Sequence, residues 1–437
     1  MPTLAAHTLL ISIVALSILL MLLRPRNIPE VYWVGAGASL LVLARLIPLS
    51  LAGRAIAKGT DVYLFLAGMM LLSEIAREQG LFDWIASVAV HHARNSGPRL
   101  FALLYLSGVV VTVCLSNDAT AIVLTPAVLA SVRRARINPV PFLFACAMIA
   151  NAASFVLPIS NPANLVVFHN GMPPLSSWLI AFLAPSFASI VITYIVLRVY
   201  FRRDLASTLE PDNGQSPLTP NGKLILIGLA LIVAVLLTAS AFGKDLGLPT
   251  FIAAVVITAI LLIRTRSSPT PILKQISWST LALVAALFIL VEAMQSIGAL
   301  AFTERALLAA QHLAAPIGAP GVPGGRFLPA GVTLAVGFTV AIANNLLNNL
   351  PVGLIAANTL TFTHTKGLLR DVTLIAVLGP NLSVTGSLAT ILWLLALRRE
   401  GLHVTARDFL KAGILVMPLA LLAAIAASLC INLVTKM

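Results

Sequence analysis

Charge is what this chain has least of. Only 10% of its 437 residues are Asp, Glu, Lys or Arg, where a soluble globular domain carries roughly 25%. With 59% hydrophobic residues and a mean hydropathy of +1.00, that scarcity excludes a soluble fold. Cysteine is nearly absent too. Cys114, Cys146 and Cys430 are too few and too scattered for a disulfide framework or a CxxC metal site, so no metal and no cofactor is expected. No Walker motif occurs, so the chain itself does not hydrolyse ATP. An intramembrane aspartyl protease would need two embedded aspartates, and no convincing second one accompanies Asp118. Acids are outnumbered by bases, 15 to 28. In a chain this apolar the excess reads as loops held on the cytoplasmic face, not as a nucleic-acid surface.

What is present is oil, repeated. Apolar runs recur along the whole length, including Leu9–Leu23, Leu224–Ala241 and Ile414–Leu429. That pattern specifies an all-α polytopic membrane protein. The longest polar stretch, Arg202 to Lys223, reads as a linker. On its two sides the sequence resembles itself. "DVYLFLAGMMLLSEIAREQGL" (Asp61–Leu81) parallels "STLALVAALFILVEAMQSIGAL" (Ser279–Leu300), each with a glutamate and, six positions on, a glycine: Glu74 with Gly80, Glu292 with Gly298. "LSNDATAIVLTPAVLA" parallels "LLNNLPVGLIAANTL", and "LPISNPANLVVF" parallels "LSVTGSLATILW". Pro185 and Pro418 fall in the last apolar segment of each half.

The order of these matches predicts two repeats, 1–201 and 223–437, joined by a cytoplasmic linker at 202–222. Each would contain three spanning helices, a re-entrant hairpin (about 100–132 and 327–363), a broken helix (about 139–168 and 371–397) and a last helix. Five crossings per half make the repeats inverted. The cations then divide 19 to 9, with Arg24, Arg77, Arg133, Arg134, Arg136, Arg202, Arg398 and Arg399 on the richer side. The positive-inside rule makes that side cytoplasmic and places both termini outside. The first hairpin's arms, 16 and 14 residues, reach about 24 and 21 Å at the helical rise. Its tip, Ser116–Asp118, therefore lies deep in the hydrocarbon.

Non-helical backbone at membrane depth persists only where protein or a watery cavity satisfies it, and broken helices at matching places in two halves point to a transporter's binding site. The expected substrate site joins four segments: Ser116, Asn117, Asp118 and Thr120 at one tip; Ser160, Asn161 and Asn164 at one break; Asn344, Asn345, Asn348 and Asn349 at the other tip; Thr385 and Ser387 at the other break. It offers amides and hydroxyls, one acid, and no nearby Arg or Lys. Such a site suits a small neutral molecule bearing several hydroxyls. Asp118 is the candidate for carrying a coupling proton, since burial favours the neutral form. It could also cap the helix that begins at Ala119. Glu74 and Glu292 are weaker proton candidates; each could simply tie scaffold helices together. Cys114 beside the tip is a candidate thiol contact or a small apolar filler. His169 and His364 are expected to be solvated near the outer face, and Met69-Met70 to line the core.

"SNDATAIVLTPAVLA", "NNLLNNLPVGLIAANTL" and above all "TGSLATILWLLALRREG" resemble the arsenite permeases, the arsenical pump membrane proteins of the ion-transporter superfamily. The resemblance covers nearly the whole chain. It implies export of arsenite and antimonite across a bacterial or archaeal cytoplasmic membrane, driven by protons or by pairing with a separate soluble ATPase subunit. It further implies elevator-like alternating access and a homodimer. Arsenite near neutral pH is As(OH)3, an uncharged trihydroxide, in keeping with a site poor in cations. A sodium/proton antiporter or organic-anion carrier of the same superfamily is the alternative.

Overall fold

The computed structural model describes residues 4–169, 171–206, 217–314, 327–379 and 382–434. Among the described residues every regular element is helical. The first half runs α1 (Leu4–Leu23), α2 (Glu30–Leu43), α3 (Leu49–Lys58), α4 (Thr60–Glu78), α5 (Leu81–His92) and α6 (Gly97–Cys114). The one-turn α7 (Asn117–Ala119), α8 (Thr125–Arg134), α9 (Val140–Ala152), α10 (Pro162–Val167) and α11 (Leu175–Tyr200) follow. The second half runs α12 (Pro220–Ala241), α13 (Gly247–Thr265), α14 (Thr270–Gln275), α15 (Trp278–Ser296) and α16 (Ala301–Ala314). It closes with α17 (Phe327–Leu347), α18 (Asn349–Phe362), α19 (Gly367–Leu378), α20 (Leu388–Arg399) and α21 (Ala406–Val434). The element order is the same in both halves: long helices, a helix–tip–helix unit, a helix–break–helix unit, and a long closing helix.

Eight described helices are long and apolar enough to cross a bilayer, or nine if α3 and α4, bent by 48°, form one span. Pro98 stands in the first turn of α6, so that arm begins at Gly97, three residues before the expected start. The linker residues 207–216, the Gly/Pro-rich approach 316–325 and the pair Pro380-Asn381 lie outside the described residues.

The halves are interleaved. α4 packs on α13, α15 on α2 and α3, and α11 on α21. Asp61 Oδ1 accepts a 2.6 Å hydrogen bond from Gly247 N and so caps α13. Only glycine fits there, because a Cβ would lie 2.1 Å from the Asp61 carbonyl oxygen. Phe144, Phe201, Trp393 and Phe409 form one aromatic cluster across α9, the end of α11, α20 and α21, with contacting ring centroids 5.5–6.0 Å apart. Large apolar side chains such as Ile227, Leu231, Ile252, Ile260 and Ile263 point outward from α12 and α13. Exposed apolar surface of that extent is fit for lipid and would be a liability in water.

Candidate functional site

At the first tip, α6 stops at Cys114 and the chain passes through extended backbone at Ser116. Ser116 Oγ accepts from Ala119 N at 3.2 Å. Ser116 is therefore the cap, and the helix starts at Asn117, not at Ala119 as the sequence suggested for an Asp118 cap. Asp118 sits in the first turn, where the helix dipole favours an anion. No described residue pairs with its carboxylate. Asn117 is buried and its Oδ1 has no partner. Thr120 is fully buried and its hydroxyl is paired to Thr112 on α6 at 2.8 Å. Beyond it, Thr120–Leu124 forms a wide π-helical turn. Pro126 has no N–H to donate, and Thr125 N and Oγ1 both reach back to the Thr120 carbonyl, the latter at 3.0 Å. Such turns recur at functional sites.

At the first break, Ser160 Oγ accepts from Leu157 N at 3.1 Å and donates to Val113 O at 3.2 Å, strapping the break to α6. Asn161 caps α10 through Ala163 N at 2.9 Å, leaving its Nδ2 buried without a partner. Asn164 Nδ2 donates to the carbonyls of Ser154, Leu157 and Pro158 at 3.0–3.1 Å. Three carbonyls fix that amide's orientation, so its unpartnered oxygen faces away from them.

At the second tip, Asn348 has φ 76°. A non-glycine residue there carries strain of about 1–3 kcal/mol. Two bonds hold it: Nδ2 to Thr385 O at 2.9 Å, and Leu350 N to Oδ1 at 3.2 Å. Asn345 organises the second break. Its Oδ1 accepts from Leu382 N and Ser383 N at 2.9 Å each, while its carbonyl accepts from Ser383 Oγ and Thr385 Oγ1 at 2.9 and 3.0 Å. Gly386 must be glycine, since a Cβ would meet Asn345 Oδ1 at 2.4 Å. Asn344 Oδ1, Asn349 Oδ1 and Ser387 Oγ are buried without partners.

The candidate residues thus divide by role. Ser116, Ser160, Asn345, Asn348 and Thr385 hold the backbone, Thr120 ties the tip to the Thr112 hydroxyl, and Asn161 and Asn164 hold backbone through one end of their amides. Asn117, Asn161, Asn164, Asn344, Asn349 and Ser387 each keep a polar atom that no group among the described residues satisfies. Native proteins leave few such atoms, and each calls for a ligand, water or ion. α7 packs against α20, and α10 against α18, so each half's tip meets the other half's break.

Two clefts reach these segments separately. One, of about 590 Å³, is lined by Ser116 and Asp118 of the first tip, Ser73, Glu74 and Met70 of α4, and Gln275, Ser277 and Thr280 from the second half. The other, of about 350 Å³, holds Asn348 and Thr385 with Met21, Arg24, Glu30 and Leu287. Arg24 corrects the expectation of a site with no arginine nearby. It is ion-paired to Glu30, so the pair adds little net charge. Distance along the chain hid it. Glu74, also in the first cleft, is paired to Arg77 on its own helix. Glu292 lies elsewhere, paired to Lys58 at 2.8 Å. Met69 and Met70 line the first cleft as well as the core. Cys114 is half-buried and a free thiol.

Some supports were not singled out in the sequence. Asn151 Nδ2 donates to Thr390 Oγ1 at 3.2 Å, the Ser154 hydroxyl bonds the Leu378 carbonyl, and Trp178 Nε1 reaches the Phe155 and Val156 carbonyls at 3.2 Å. Their signal was an amide, a hydroxyl or an indole in apolar surroundings, which only a partner makes meaningful.

Known proteins agree with this architecture. The chain is 26% identical to an arsenical pump membrane protein of Escherichia coli over 383 residues, 84% of this chain and 85% of that one. A Yersinia enterocolitica protein of the same name is also 26% identical, with the same coverage. The crystal structure of the YdaH transporter of Alcanivorax borkumensis superposes with a TM-score of 0.51 at 16% identity, covering 90% of this chain and 89% of that one, a likeness of fold. Matched over residues 4–379 by the citrate transporter family CitMHS, the chain belongs to that family and is a multi-pass bacterial membrane transporter of the ion-transporter superfamily.

Proposed function

We propose that this protein exports arsenite, and antimonite with it, from the cytoplasm in exchange for protons. The observation that carries the reading is the set of unpartnered polar atoms at the tips and breaks, beside an unpaired Asp118. Asn117, Asn164, Asn344 and Asn349 present amide oxygens, Asn161 an amide N–H and Ser387 a hydroxyl. As(OH)3 supplies three hydroxyls that both donate and accept, which is the complement such a set needs. The names of the relatives point to the same substrate class. Citrate, named for the family, is a multiply charged anion. The first cleft offers it two carboxylates and no lysine or arginine in its lining. Paired Arg24 in the second cleft is the nearest exception.

Asp118 carries the coupling proton in this scheme. Neutral Asp118 permits closure of a dry site, and charged Asp118 requires water or a proton before the site can close. The inverted arrangement is supported by the run of α4 and α15. The start of α4 lies beside the end of α15, through Lys58 and Glu292, while the start of α15 and the end of α4 share the first cleft. With the arginine-rich ends cytoplasmic, both clefts open inward. Reporter fusions should then place Arg133–Arg136 inside and both termini outside.

Everted membrane vesicles test the function. Arsenite should accumulate under an imposed pH gradient, and citrate should neither accumulate nor compete. Citrate uptake without arsenite uptake would replace this substrate with the organic anion.

A further inference from the structure

Glu74 and Glu292 occupy the same register of two helices of 19 residues each, one turn before the last residue. Each is followed by a glycine in the left-handed region, Gly80 at φ 71° and Gly298 at φ 72°. Their surroundings differ. Glu74 is satisfied by Arg77 on its own helix and faces an open cleft, across which stand Gln275, Ser277 and Thr280 at the start of α15. Glu292 instead binds Lys58 at the end of α3, 2.8 Å away, immediately before α4 begins. Corresponding ends of the same antiparallel helix pair are therefore apart on one side and joined on the other.

A third group sits at the joined end. His169 lies two residues past the end of α10, and its ring meets Phe288 edge-on at 5.5 Å, one turn before Glu292. Its Nδ1 lies 2.9 Å from the Val166 carbonyl, and both Lys58 and Glu292 are within its electrostatic reach. Packing replaces the solvated histidine expected from the sequence. Phe288 also meets Tyr63 of α4 edge-on, at 6.4 Å. α10 and α15 both pack on α18, the helix that starts at the second tip. The elements that meet at the joined end thus both pack on the helix that leaves that tip.

We propose, on the alternating-access reading above, that Lys58, Glu292 and His169 form the latch closing the outer route to the second tip while the Asp118 cleft stands open. The pair bridges two elements that also pack together, so breaking it removes the polar tie at the surface end of their contact. Glu74 bridges nothing and needs no breaking. The side chain of Lys58 is 40% exposed and that of Glu292 19%, so the latch reaches the surface and water can compete for it.

The test is outside labelling. In a chain lacking Cys114, Cys146 and Cys430, a single cysteine replaces Ala356, a buried residue of α18. Intact cells are treated with a membrane-impermeant maleimide. Labelling should be slow in the parent and faster by roughly 1.5-fold to fivefold with Lys58→Gln or Glu292→Gln, the range an ion pair of this exposure can shift. The exchanged pair, Lys58→Glu with Glu292→Lys, should return labelling toward the parent. His169→Ala should give a smaller rise. Unchanged labelling in folded single variants, or a rise that the exchange does not reverse, would overturn the latch. A rise seen only from the cytoplasmic face would overturn its outer placement. Because Lys58 is the more exposed partner, Lys58→Gln keeps the test alive should Glu292→Gln fail to fold. No substrate is needed, so a failed arsenite assay and a failed latch are separate results.

Discussion

The two tips share a position in the chain's repeated order and differ in almost everything else. The first turns through ordinary extended backbone at Ser116 and leaves Asp118 unpaired at an open cleft. The second turns through a left-handed Asn348, pinned by two hydrogen bonds, and presents only neutral amides. One tip can change its charge and the other cannot. Unpartnered polar atoms are spread over both halves, whereas the carboxylate at a tip belongs to the first. On the proposed function, binding would draw on both halves and coupling on one.

The comparison breaks first at Asp118. Asp118→Asn keeps the shape but cannot titrate, so pH-driven arsenite accumulation in vesicles should be abolished while equilibrium binding survives. Undiminished transport with an unchanged pH profile would move the proton to Glu74 or Glu292. Next in size is Asn345→Ala. It strips the acceptor from the Leu382 and Ser383 amides, and two half-buried donors losing their partner should lower stability by about 1–3 kcal/mol. Its neighbour Asn344 has an unpartnered oxygen. Asn344→Ala should therefore leave the melting temperature in detergent nearly unmoved and still weaken transport. Equal melting losses in the two variants would erase the division between holding and binding residues.

Smaller effects sharpen the contrast between the tips. Asn348→Ala loses both hydrogen bonds and keeps the strained φ, costing about 1–3 kcal/mol, whereas Asn348→Gly relieves the strain and should cost less. At the first tip, Asn117→Ala should lower transport with little loss of stability, because its oxygen holds nothing in place. The smallest effect belongs to Glu74→Gln. Its partner Arg77 is nearly half exposed on the same helix, and such pairs contribute about 0.3–0.5 kcal/mol. A large pH shift in that variant would make Glu74 part of the proton route.

Much of this was legible along the chain because oil is a one-dimensional signal. A segment that must bury its backbone in lipid has to be helical and apolar throughout, so polar interruptions such as Ser116–Asp118 and Asn344–Asn349 announce themselves. The correspondence of Glu74-Gly80 with Glu292-Gly298 was visible for the same reason, and both glycines take the left-handed φ that makes glycine necessary. The cap at Ser116 was not visible, because Ser116 and Asp118 are equally good capping residues by type. Nor was Arg24 beside Asn348, which are joined only by the fold.

By itself, then, the sequence determined a helical membrane transporter with two polar tips and two polar breaks, since solvent selects helix and hydropathy without reference to neighbours. Tertiary structure decided which of those polar groups are spent on backbone and which are left without a partner among the described residues. It also decided that Glu74 pairs within its own helix while Glu292 pairs with Lys58, a choice that no local pattern records. Hydrogen bonds and ion pairs act over about 3 Å in space, and residues that far apart can be hundreds apart in the chain.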